Sequence, residues 1–159
     1  TLSSSSAASD VYKRQMFPMH TFYWGDWYKQ IVGPEQAARI SPMRSILKTG
    51  LHATSHTDAP VALPNLMQVA WATVNRTSRS GAVIGPDERV TPYEAMKMIT
   101  LWGAEQFGEQ ATKGSLEPGK LADLVILSDN PLTIDPMTIN KIIVLETIKN
   151  GKTVYKRGQ

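Results

Sequence analysis

Leu51-His-Ala-Thr-Ser-His-Thr-Asp58-Ala-Pro-Val61 is the stretch on which the reading of this chain turns. In an extended strand successive side chains alternate between faces, so His52, Thr54, His56 and Asp58 are expected on one face and Leu51, Ala53, Ser55 and Thr57 on the other. The neighbouring segments read as helical, which predicts a covered sheet. A covered face this polar is expected to line a site for chemistry or metal. Pro60 ends the strand just after Asp58. At about 3.3 Å per residue, His56 lies roughly 6.6 Å from Asp58 and His52 roughly 20 Å, so His52 is not expected to join Asp58 on one ion. A solvated surface strand is the competing account of the same residues, and the surrounding chain weighs between the two.

Working outward, residues 34–48 form a helical patch broken near Pro42, and Gly50 is suited to stop it. Residues 16–28 are dense in aromatics (Phe17, Phe22, Tyr23, Trp24, Trp27, Tyr28), which predicts a strand running into a turn at Gly25-Asp26. Strand, helix, strand is the order of a parallel βαβ unit. Downstream, residues 65–75 carry Leu66, Val69, Ala70 and Thr73 at helical spacing, and residues 76–89 read as a Ser-, Gly- and charge-rich loop. Thr91-Pro-Tyr-Glu94 opens a second helix with a capping box. Its stripe of Ala95, Ile99, Trp102 and Gln106, flanked by Met98 and Phe107, reads as core, and Gly108 ends it. From Gly114 the texture turns to β, with strands expected at 122–127, 142–149 and 152–155. Asn150-Gly151 between the last two is the strongest short hairpin signal.

Composition narrows the function classes. With 42% hydrophobic and 19% charged residues the chain is globular, and at 159 residues it is shorter than a complete (β/α)8 barrel of about 250. It contains no cysteine, so any metal must be held by His, Asp or Glu. The net charge of +3 falls to +2 once Asp10, Lys13 and Arg14 (sum +1) are set aside, too little to indicate nucleic-acid binding. Lys149, Lys152, Lys156 and Arg157 read as a solvated hairpin. No apolar run approaches the roughly 18 residues of a membrane span. Residues 1–15 have no apolar signal-peptide core and read as a non-native or disordered leader.

The block Gly114-Ser-Leu-Glu-Pro-Gly-Lys-Leu-Ala-Asp-Leu-Val-Ile-Leu127, followed by Asn130-Pro131 and preceded by the helix from Thr91, resembles the C-terminal signature of the amidohydrolase superfamily. His56-Thr-Asp-Ala-Pro-Val61 is similar to the end of barrel strand eight, and Phe17-Pro-Met-His20 with Trp24-Gly-Asp26 to the end of strand seven, in the type-3 branch. That branch includes the N-substituted formamide deformylases and predicted exoenzyme-regulatory hydrolases. The resemblance implies an α/β fold: residues 16–113 as the C-terminal portion of a (β/α)8 TIM barrel, and 114–159 as strands of its small β-sandwich. It further implies that Asp58 binds a divalent metal, Zn2+, or its water, and shuttles the proton, while His20 and His56 line the pocket.

The family's His-x-His pair, its bridging Glu or carboxylated Lys and its two further histidines have no counterpart here, since His20, His52 and His56 are the only histidines. The expectation is therefore a fragment of a metal-dependent hydrolase of a non-peptide C–N bond, amide or formamide, inactive by itself. Its expected partner is a small-molecule amide-type substrate, with neither nucleic acid nor membrane and with homo-oligomer formation left open. A cytoplasmic location is expected. The rival is a free-standing, non-catalytic α+β module that binds a ligand or a partner chain.

Overall fold

The computed structural model describes residues 13–158. Strand β1 (Lys13–Met16) lies parallel to β2 (His52–Ser55), in register from Lys13 opposite His52 to Met16 opposite Ser55. A parallel pair needs a long crossover. Here it runs through α1 (Met19–Ile31), α2 (Pro34–Ala37) and α3 (Met43–Lys48), with Gly50 in the left-handed region at φ 80° after the last. The βαβ unit expected from the sequence is present, with three corrections to its parts.

β1 begins at Lys13, inside the stretch expected to be leader; residues 1–12 of that stretch lie outside the described residues. Lys13, Arg14 and Gln15 join the sheet through backbone bonds, so no apolar alternation marks the strand. The aromatic run expected as strand and turn is helix α1 instead. Thr21 Oγ1 donates to the Pro18 carbonyl (2.7 Å) in its first turn. Gly25 is a packing glycine in mid-helix, because a Cβ there would stand 2.7 Å from Ile84 Cγ1. Finally, β2 stops at Ser55, well short of Asp58. Asp58 has φ 51°, so the alternation argument does not extend to it.

Helix α4 (Leu66–Asn75) sits at the centre of the molecule. Asn65 caps it, its Oδ1 accepting from the Met67 and Gln68 amides at 3.1 Å each. The tail of the chain returns onto this helix through a 3-10 turn, Pro136–Lys141: Trp71 Nε1 donates to Met137 O (3.0 Å) and Asn75 Nδ2 to Pro136 O (2.8 Å). Met19, Met43, Met67, Met98, Trp71 and Trp102 belong to one continuous core around it.

The capping box at Thr91 forms, with Thr91 Oγ1 accepting from the Glu94 amide and Glu94 accepting from the Thr91 amide. The single helix expected beyond it is broken into α5 (Pro92–Ile99) and α6 (Leu101–Gln106). Thr100 lies at φ −129°, ψ −93°, and its hydroxyl donates back to Met96 O at 2.7 Å, a bond that competes with regular helix. Trp102 and Ala104 still turn inward, but Phe107, expected beside the core stripe, is 73% exposed. The last unit is an antiparallel sheet in the order β3 (Leu124–Leu127), β4 (Val144–Lys149), β5 (Lys152–Lys156). Asn150 (φ 48°) and Gly151 (φ 74°) make the predicted tight turn between β4 and β5.

Candidate active site

Because β1 and β2 are parallel and in register, their C-terminal ends open on the same side. His20 follows β1, as the second residue of α1. His56 directly follows β2, and its amide extends the ladder by donating to Met16 O at 3.1 Å. Asp58 lies two residues beyond His56, exposed in a turn closed by the Val61 amide donating to Asp58 O (2.7 Å). All three predicted site residues thus gather at one end of the sheet, although two of them are held by helix and turn rather than by strand.

Phe17 is the floor the two histidines share. Its ring is 4.8 Å from the His20 ring, edge-on, and 5.5 Å from the His56 ring. Trp24, with ring centroids 5.5 Å from His20 and 6.2 Å from Phe17, and Tyr28, 6.2 Å from His20, complete the aromatic surround. His20, Trp24, Trp27 and Tyr28 line an open recess of about 510 Å³. Burial among the rings holds the His20 imidazole below its usual pKa; Asp58 pulls the other way, and His56 adds a smaller push downward. His20 is therefore neutral at pH 7, a hydrogen-bonding group rather than a fixed charge.

His52 takes no part in this cluster. It lies at the start of β2, at the opposite end of the sheet, where its Nδ1 is 2.5 Å from Glu105 Oε2 and its ring stacks on Trp102 at 4.6 Å. The separation of His52 from Asp58 expected from strand geometry is what the fold contains. Thr54, on the same strand face, is buried and donates to Gln106 Oε1 at 2.6 Å.

The residues present do not make a metal centre by themselves. Among the described residues no group of three or more His, Cys, Asp or Glu side chains converges as ligands, whereas zinc sites take three or four. The aromatic recess is not foreseen from the sequence, where Trp24, Trp27 and Tyr28 read as strand and turn. Their spacing of three and four residues is the helical signal that marks it.

The chain belongs to the amidohydrolase family, whose model matches residues 13–155. It is 31% identical over 141 residues to an N-substituted formamide deformylase from Arthrobacter pascens, an alignment covering 88% of this chain and 26% of the relative. It is 28% identical over 132 residues to a 5-methylthioadenosine/S-adenosylhomocysteine deaminase from Moorella thermoacetica, covering 77% of this chain and 31% of that one. The chain thus spans about a quarter to a third of the length of these relatives. Among solved structures it resembles an uncharacterized metal-dependent hydrolase from Pyrococcus horikoshii in fold, with a TM-score of 0.64 and 22% identity over 82% of this chain and 27% of the other. An amidohydrolase from Thermotoga maritima superposes with a TM-score of 0.50 and 28% identity, over 72% and 26% of the two chains.

Proposed function

We propose that this chain supplies one wall of the active site of a hydrolase that cleaves a non-peptide C–N bond in a small amide or formamide. The observation that carries the reading is the convergence of His20, His56 and Asp58 at the shared C-terminal end of two parallel strands, the end at which α/β enzymes build their sites. Family membership supports hydrolysis, and the likeness to the Arthrobacter deformylase supports a formamide. In this reading β1 and β2 are the seventh and eighth strands of a (β/α)8 barrel, and residues 114–159 are part of its small β-sandwich.

The roles follow from the chemistry of the groups. Amide hydrolysis needs a base to take a proton from the attacking water and an acid to return it to the leaving nitrogen. Asp58, an exposed carboxylate at the mouth of the cluster, is suited to both steps in turn. Neutral His20, together with His56, orients the substrate carbonyl and nitrogen, and the recess beside Trp24 offers the substituent an aromatic wall. A divalent ion, zinc in this reading, supplies an acidified water when bound. Asp58 is the ligand this chain would offer it, and the other ligands would have to come from outside this chain.

The test is Asp58→Asn in a protein of the relatives' full length that contains this sequence. The change keeps size and removes the basic oxygen, so turnover falls about 10²- to 10⁴-fold while the thermal melt is retained. Unchanged turnover would remove Asp58 from the mechanism. If the full-length protein hydrolyses no amide at all, the competing account, a non-catalytic binding module, takes over.

A further inference from the structure

Arg76 is among the most deeply buried side chains of the molecule, at 1% exposure, and its hydrogen bonds all go to main-chain carbonyls. Nε donates to Ile84 O (2.7 Å), Nη1 to Ser41 O (2.8 Å), and Nη2 to both Ile40 O (2.6 Å) and Ala38 O (3.2 Å). Burial pulls its pKa down to about 10, with Glu88 opposing and Arg89 assisting, so the guanidinium remains charged at neutral pH. A buried cation is tolerated only when its donors are satisfied, and here two loops fold around it to do so. They meet closely enough that a Cβ on Gly85 would stand 2.1 Å from Ala38 O.

Both loops also bear on α1, the helix that carries His20. Ser41, whose carbonyl binds Arg76, is held at φ 48° and donates its own hydroxyl to Phe17 O at 2.9 Å. The same Phe17 carbonyl accepts the His20 amide at 3.1 Å. Ile84, which binds the other side of Arg76, packs its side chain against Gly25 in the middle of α1. The helix that carries His20 is therefore fixed at its start and at its middle from a single guanidinium. None of these contacts places Arg76 near the reacting groups.

We propose that Arg76 is a positioning residue for the candidate site: through Ser41 it sets the Phe17 carbonyl, and so fixes where the His20 imidazole stands against Phe17 and His56. Any consequence for catalysis rests on the reading of His20 as a site residue; the mechanical link stands without it. The carbonyls of residues 38, 40, 41 and 84 satisfy the donors of Arg76, and Glu88 adds a favourable charge.

The test uses the 159-residue chain at one fixed pH. Ser41→Ala removes the hydroxyl, and Ser41→Gly removes it while easing the left-handed backbone, so loss of the bond separates from backbone strain. Ser41 is half-buried and both variants are expected to melt cooperatively. In each, the His20 imidazole signals in a ¹H–¹³C spectrum shift and its ring contacts to Phe17 weaken. Hydrogen exchange at the His20 amide speeds up about fivefold to tenfold, as expected for one lost bond, while the Trp71 to Val74 amides in the core helix keep their protection. Arg76→Lys, which cannot span four carbonyls, reproduces the His20 changes.

Three results overturn the proposal: an unchanged His20 signature in both Ser41 variants, a folded Arg76→Lys variant whose His20 signature is unchanged, or a loss of protection equal at His20 and in the core helix. Should Arg76→Lys fail to fold, the Ser41 pair still decides the link from Ser41 to His20 on which the proposal depends. Because no substrate is present, this outcome is separate from the Asp58 experiment. A responsive His20 in a protein that hydrolyses nothing would keep the relay and discard the function.

Discussion

Along α4 seven consecutive residues, Val69 to Asn75, are buried; along β5 every residue from Lys152 to Lys156 is exposed. The two regions also differ in how their bonds span the sequence. The α4 region is tied by contacts that reach far along the chain, Arg76 to Ser41 across 35 residues and Trp71 to Met137 across 66. The sheet of β3, β4 and β5 is organised around a two-residue turn, with Val125, Ile126, Val154 and Tyr155 left about half exposed. Distant ties make a region cooperative and easily lost as a whole. A local turn is specified by its own residues but carries little of the stability.

The strongest way to break this comparison is Arg76→Met. The substitution keeps bulk in the core but leaves the carbonyls of Ala38, Ile40 and Ile84 without the donor Arg76 gives them, while Ser41 O keeps the Met43 amide (2.9 Å), and each buried unsatisfied group costs about 1–3 kcal/mol. Partial relaxation of the loops limits the sum, and a loss of about 3–5 kcal/mol is expected. Denaturant melts followed by tryptophan fluorescence measure it, since Trp71 and Trp102 report on the core. The Asn150-Gly151 turn should survive in the NMR spectrum of the destabilised chain. Simultaneous loss of both would show that the sheet depends on the core after all.

The same contrast explains what could be read from the sequence. Features specified by a few adjacent residues were legible: the Thr91 to Glu94 box, the stop at Gly50 and the turn at Asn150-Gly151. Features defined by a distant partner were not. Gly25 looks like a turn residue until Ile84 is known to lie 2.7 Å from where its Cβ would be. Arg76 opens a Ser- and Gly-rich stretch that reads as solvated loop, and nothing local announces four carbonyls gathering around it. β1 is too short and too polar to show a period. At the candidate site His56 and Asp58 stand out from the polar alternation of residues 51–58 and His20 from a family motif, while the aromatic side chains beside the histidines, Phe17, Trp24 and Tyr28, follow only once residues 19–31 are known to be helical.

A partly exposed tie should give an intermediate effect. Arg44 grips Glu94 with two bonds, Nη1 to Oε1 at 2.8 Å and Nη2 to Oε2 at 2.7 Å, joining α3 to the start of α5. Burial is the largest influence on Glu94 and disfavours its charge, but the bonds from Arg44 and Thr91 together outweigh it and bring its pKa to about 2. An acid whose pKa is depressed on folding adds stability above its unfolded value, and that stability is lost as pH falls from about 4.5 through about 2. Allowing for solvent screening, the contribution is about 1–2 kcal/mol. Thermal melts of the chain and of Arg44→Gln should differ at pH 6 and converge toward pH 2. Parallel melting curves across that range would show that the ion pair does not stabilise the fold. The depressed pKa of His20 acts in a higher window, below 6.5, and is common to both proteins.

The smallest effect sharpens the comparison from the other side. Gly151 has φ 74°, and a Cβ built on it would meet nothing within 4 Å, so Gly151→Ala carries a backbone cost and no clash. Left-handed backbone disfavours an L side chain by about 1–2 kcal/mol. The turn also holds two long-range bonds, the Asn150 amide donating to Asp123 Oδ1 at 2.8 Å and the Gly151 amide to Ala122 O at 3.0 Å, and these resist its rearrangement. The expected result is therefore a local loss of about 1 kcal/mol. It is read as faster amide exchange across β4 and β5, with the fluorescence melt of the core displaced by no more than a degree or two. A core melt that falls in step with the hairpin would mean that the sheet and the α4 region unfold together. The distinction between a region held by distant ties and one held by its own turn would then hold for how the two parts are specified in the sequence, but not for how they come apart.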